Sequence, residues 1–194
     1  MEIYKSLMRV GLVAILLSLL SVGCQRSNDS VQAAREDKSK SDRTTTLTNA
    51  EKQFINDAVR GGIKERSMGR VVVAKTTNAD VKDYAKMVVK DHSQALNDLV
   101  DLMKEAGMNQ PGGLPEVKHE AQDRLNGLSG AAFDREYIDL MVKDHQKLIS
   151  KYQQEETMAQ DEALRNYVKQ VLPVLQKHLK KAEELQAKLN SQKT

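Results

Sequence analysis

Glu65, His92, His145 and His178 are residues of metal-binding chemistry, and each lies on the apolar stripe of its own segment. The stripes read Phe54-Ala58-Gly61-Glu65-Met68-Val72, Val81-Ala85-Val88-His92-Ala95-Leu99-Leu102, Ile138-Met141-His145-Leu148-Tyr152 and Leu164-Val168-Val171-Leu175-His178-Ala182-Leu185-Leu189. Steps of three and four keep a residue on one helix face, the face that meets neighbouring helices. One carboxylate and three imidazoles on such faces point at a shared interior, where burial is costly unless each finds a partner. Two readings follow. Imidazole and carboxylate from facing helices hold a transition-metal ion such as zinc, iron, copper or manganese; alternatively, the four form a hydrogen-bonded polar layer that sets helix register and binds nothing. Asp91 and Asp144 each precede a His. One step along a helix turns about 100°, which suits acids that support the imidazoles from behind or face solvent, rather than ligands. Metal held by neutral imidazoles is expected to leave as pH falls through about 6.5.

The elements that position these residues are legible from caps and breakers. Thr48-Asn49-Ala50-Glu51 has capping-box spacing, so a first helix is predicted from there to about Lys75. Thr76-Thr77-Asn78 make a turn, and a second helix runs over about 79–106 before Gly107. Pro, Gly and Asn between 109 and 114 break the chain, a short helix is expected over 116–125, and two more long helices run over about 131–158 and 161–190. Four helices of roughly 27 residues are each about 40 Å long. Short turns force antiparallel hairpins, and a connection of about two dozen residues is long enough to cross the bundle. The expected fold is therefore all-α: a ferritin-like four-helix bundle of two antiparallel hairpins joined by a long crossover. Counted from the turns at about 1.5 Å per residue, the four ionisable residues fall in roughly one layer.

Gly61, Gly62 and Gly69 weaken the first helix around Glu65, leaving room for an ion, for waters or for a close neighbour helix. Pro173 should kink the last helix. His119, in the crossover, is expected to be exposed rather than a ligand, and the eight Met are read as core filling.

Lys5 and Arg9 precede an apolar run over 10–22 that ends in Val22-Gly23-Cys24. This is the pattern of a secretory signal, too short for a comfortable membrane span. Cys24 is the sole cysteine, and its setting is similar to a lipobox, with Ser21 where Leu is usual. The expected organisation is a signal over 1–24, a disordered tether over 25–47 and the helical domain over 48–190. Cys24 would carry the lipid that anchors the chain to a membrane, placing it in the cell envelope, at the outer membrane facing the periplasm. The tether's Ser, Asp, Lys and Thr cannot bury enough surface to order it. With a formal charge of +3 and both signs mixed along every helix, nothing argues for nucleic acid. No nucleophile elbow, phosphate loop or dinucleotide fingerprint occurs, so no catalytic residue is assigned.

The pattern Ala58…Gly61-Gly62…Glu65 within 54–69, with Met87-Val88-Val89-Lys90-Asp91-His92-Ser93, Leu128-Ser129-Gly130-Ala131-Ala132-Phe133-Asp134, Met141-Val142-Lys143-Asp144-His145, Leu172-Pro173 and His178-Leu179, resembles an uncharacterised bacterial family. Its members are often labelled predicted outer membrane protein and placed in the ferritin-like superfamily. The resemblance implies an envelope location and a four-helix fold, and carries no established activity. It departs from ferritins at the site. Val89 and Leu175 stand three residues before His92 and His178, where a Glu-x-x-His di-iron site would have Glu, so iron storage is not expected. Two functions stay in view: an envelope-tethered bundle that binds a metal ion, and a non-catalytic structural or stress-related interaction module with a polar core layer and no metal.

Overall fold

The computed structural model describes residues 46–108 and 120–192. They form five helices: α1 (Asn49–Lys75), α2 (Ala79–Glu105), α3 (Glu120–Asn126), α4 (Gly130–Met158) and α5 (Glu162–Ser191). No strand occurs among the described residues. The signal, Cys24, His119 and nearly all of the tether lie outside them. None of the described helices is long and apolar enough to cross a membrane.

Local chemistry starts each long helix. The Thr48 hydroxyl oxygen accepts a hydrogen bond from the Glu51 N–H, and the Glu51 carboxylate accepts one from the Thr48 N–H at 2.7 Å. Asn78 Oδ1 accepts from the Asp80 and Val81 N–H groups, and Asp161 Oδ1 from the Leu164 N–H. Each bond satisfies donors that the first helical turn leaves open. Ser129 makes no side-chain cap to α4; there Gly130 supplies the positive φ of 53° at the entry.

Contacts at both ends set the topology. The α1–α2 turn meets the start of α4, where Thr76 Oγ1 donates to Asp134 Oδ1 at 2.6 Å, both residues buried. The start of α1 meets the α4–α5 turn, where Glu51 Oε1 accepts the Gln160 and Asp161 N–H groups at 2.8 Å each. Lys188 near the end of α5 pairs with Asp80 at the start of α2. Hence α1 is antiparallel to α2 and α4, while α2 and α4 run parallel, as an end-to-end connection over 106–129 requires. Of the expected short helix, Glu120–Asn126 is helical, and residues 116–119 lie outside the described ones.

Two sequence readings change. Leu47, assigned to the tether, is buried and packs into the core, so the folded part begins earlier. On α1 the buried face is wider than the expected stripe: Ala58, Glu65, Met68 and Val72 of the stripe are buried together with Ile55, Val59, Gly62 and Gly69, whereas Phe54 and Gly61 are only partly buried. The helix α5 continues through Pro173.

The glycines resolve into separate roles. A methyl on Gly69 would lie 2.7 Å from Val89 Cγ2 and 3.3 Å from the Ala85 carbonyl oxygen, so α1 and α2 approach closely there. One on Gly61 would make ordinary contact with Leu148 at 3.6 Å. Gly69→Ala should therefore destabilise by about 1–3 kcal/mol through overpacking, outweighing its helix-propensity gain. Gly61→Ala should stabilise by up to about 1 kcal/mol. Opposite shifts in urea midpoint check the pair; equal shifts would contradict the close approach at Gly69.

Glu51 latches the two hairpins, since its two oxygens serve four groups of α1 and the α4–α5 turn. Burial pushes its carboxyl up, but the hydrogen bonds from Asp161, Thr48 and Gln160 outweigh this and hold it below the ordinary range. Glu51→Ala is expected to cost roughly 2–4 kcal/mol, from the lost cap and the N–H groups left unpaired. Thermal melts read that loss, and a change within error would refute the latch.

Candidate functional site

The apolar core comes in two clusters. One, including Ile55, Leu96, Leu99, Tyr152, Leu164 and Leu175, fills the end nearer the α4–α5 turn. The other, including Met68, Val72, Val88, Phe133, Met141 and Leu185, fills the end nearer the α1–α2 turn. Each long helix changes cluster at its ionisable residue: Glu65 on α1, His92 on α2, His145 on α4 and His178 on α5. All four are buried, His145 and His178 with no exposed surface at all.

Their side chains converge. The three imidazole centroids are 5.3 to 5.8 Å apart, and one nitrogen from each ring lies within 4.8 Å of the others. Glu65 Oε2 is 2.9 Å from His92 Nε2 and 3.9 Å from His145 Nε2. The closer contact is an ion-pair distance without hydrogen-bond alignment, and both of its atoms are buried with no hydrogen-bond partner among the described residues. A buried carboxylate oxygen and imidazole nitrogen left in that condition are costly.

The outer nitrogens fix the tautomers. His145 Nδ1–H donates to the Met141 carbonyl oxygen at 2.9 Å, one turn back on α4. His178 Nε2–H donates to Asp91 Oδ2 at 3.0 Å, across from α5 to α2. A carbonyl and a carboxylate only accept, so both outer nitrogens carry hydrogen. In neutral rings the inner atoms, His145 Nε2 and His178 Nδ1, then carry lone pairs. These two atoms face each other at 3.2 Å. No hydrogen bond joins them unless one ring takes a second proton, and burial opposes that. Burial pulls His178 down to about 4, more than the Asp91 carboxylate restores. It also pulls His145 below the ordinary imidazole value, against the raising influence of Glu65. Burial pushes the Glu65 carboxyl up, but the neighbouring His145, His92 and Lys64 outweigh it and leave a net lowering.

Asp91 thus supports the imidazole of α5 rather than the His92 beside it in sequence. Asp144 makes no hydrogen bond to any of the four among the described residues; it forms an ion pair with Lys64 at 2.6 Å and acts on His145 only through its charge. The sequence reading does not single out Tyr84 and Tyr137, whose hydroxyls are buried without hydrogen-bond partners among the described residues. Burial, Tyr137 and Glu65 push the Tyr84 phenol up, and burial with Glu65 does the same to Tyr137. The only sequence signal was a phenol at a core-facing position, which needs a partner for its O–H.

Residues 36–185 match the family described as "Domain of unknown function (DUF4142)". The fold is similar to the crystal structure of a DUF305 fragment from Deinococcus radiodurans, with a TM-score of 0.66 at 10% identity over 74% of this chain and 99% of that one. A comparison with curated proteins finds no match.

Proposed function

The chain belongs to the DUF4142 family of domains of unknown function, and we propose that it is an envelope-tethered helical bundle that binds a transition-metal ion through His92, His145, His178 and Glu65. The observation that carries this reading is the pair of inner nitrogens, His145 Nε2 and His178 Nδ1, facing each other at 3.2 Å while the outer nitrogen of each ring is already committed as a donor. Two acceptors at that distance repel unless a cation joins them. The separation is close to the ~3.3 Å edge of a tetrahedron built on metal–nitrogen bonds of about 2.0–2.1 Å. Met141 and Asp91 hold the rings as outer partners hold metal-bound imidazoles elsewhere. Glu65 Oε2 and His92 Nε2, 2.9 Å apart and without a hydrogen-bond partner among the described residues, supply the remaining donors and a compensating negative charge.

The scaffold suits the task. Two antiparallel hairpins joined by a crossover are the ferritin-like arrangement, whose core houses ions between facing helices. The Lys5/Arg9 region, the apolar run and Val22-Gly23-Cys24 support export, with a lipid on Cys24 tethering the bundle at the outer membrane and facing the periplasm.

Elemental analysis of protein purified without chelators or a histidine tag, followed by zinc, copper, iron and manganese titrations, tests the metal. Binding that the His92→Ala/His145→Ala variant loses supports it. If no ion binds more tightly than to that variant, the cluster is a polar layer and the metal reading fails. Mass spectrometry of the mature N-terminus tests the anchor: a lipidated Cys24 is expected, and an intact Met1 or a cut elsewhere refutes it.

A further inference from the structure

A cavity of about 20 Å³ adjoins the cluster, with His92 and His178 in its wall. A void of roughly 10–15 Å³ on this measure already holds one water. Leu96, Leu148 and Leu175 line it, and Tyr152 and Tyr167 stand in its wall with their hydroxyl oxygens 3.4 Å apart. Asp91, Ala95 and Val174, on α2 and α5, also line it and are half-buried, which makes the α2–α5 seam a way in beside His92 and His178.

We propose that this cavity is the binding pocket for a small monodentate inorganic ligand, of one to three heavy atoms, that coordinates the metal ion on its His92/His178 side. The inference rests on the metal reading above and adds an open coordination position. With four protein donors in place this is a fifth position, which iron, manganese and cobalt accept more readily than a tetrahedral zinc. The apolar wall sets the character of the guest. It offers leucine side chains and a tyrosine pair already facing each other, so a compact ligand that sheds its hydration on binding the ion fits and a large or hydrated one does not.

The full-length chain loaded with cobalt(II) and titrated with azide tests the pocket, because visible absorption of the ion reports both uptake and a change of ligand. Azide should shift the cobalt bands saturably, while imidazole, too large for the cavity, should leave them unchanged. Ala95→Val, which adds two carbons at the seam, should lower azide affinity at least tenfold with cobalt stoichiometry retained. Val174→Phe, half-buried at the same seam, provides the same test should Ala95→Val fold poorly. Full cobalt uptake with no response to azide overturns the pocket and leaves the metal site standing. So does equal binding of azide and imidazole, or an azide affinity untouched by both variants. Absence of cobalt uptake overturns the metal reading and the pocket with it.

Discussion

His178→Ala is expected to lower the affinity for the proposed transition-metal ion by more than about 100-fold, beyond the 10–100-fold typical of losing an outer partner. The variant removes the nitrogen that faces His145 Nε2 at 3.2 Å and leaves Asp91 without its imidazole. Asp91→Asn should act in the lesser range. An amide can still accept from His178 Nε2–H, but it loses the charge that makes the ring a stronger donor to the ion. Asp144→Asn should lower affinity far less, because Asp144 pairs with Lys64 and makes no hydrogen bond to any of the four donors among the described residues. Competition titrations against a chromophoric chelator give all three values. The ranking of the two aspartates is the sharper test, since both stand directly before a histidine. Equal effects of Asp91→Asn and Asp144→Asn would refute the assigned geometry.

The metal-free protein should lose about 3 kcal/mol of stability as pH falls from about 6.5 to about 4, from His178 alone. Its folded value is held near 4 by burial, against an ordinary 6.5. Between these values the unfolded chain binds the proton and the folded one does not. The contribution is therefore complete above about 6.5, declines as pH falls, and is gone once pH passes below the folded value. His145, lowered in the same sense, steepens the decline. Glu65 adds a further loss at lower pH, because its folded carboxyl lies below its ordinary value and its contribution disappears as it protonates. Urea melts at intervals from pH 7.5 to 4 measure the slope, and His178→Gln should flatten it. A stability unchanged over this range would mean that the imidazoles are not held neutral. Proton competition at His145 and His178 follows their lowered folded values, so these two donors should hold an ion below the pH 6.5 that an ordinary imidazole would suggest.

Much of the scaffold follows from local chemistry. Thr48 with Glu51, Asn78 and Asp161 start helices where their side chains can reach open N–H groups, and the apolar period of three and four marks the inward faces. That same period singled out Glu65, His92, His145 and His178, because a stripe that is otherwise apolar makes each ionisable residue conspicuous. Turn lengths then brought them to one level. Pairings between segments distant in sequence were not legible. The Asp-His dipeptides at 91–92 and 144–145 are alike in sequence, yet Asp91 reaches His178 on another helix and Asp144 reaches Lys64. Rotation of packed helices by a fraction of a turn decides which neighbour a side chain meets, and periodicity does not encode it. Glu51 reads as a helix cap, and only the approach of the α4–α5 turn makes it a latch. The tautomers of His145 and His178, the lone pairs they set face to face, and the cavity beside them exist only once four helices close around them. Each depends on which acceptor lies behind a ring and on a volume that no single segment encloses.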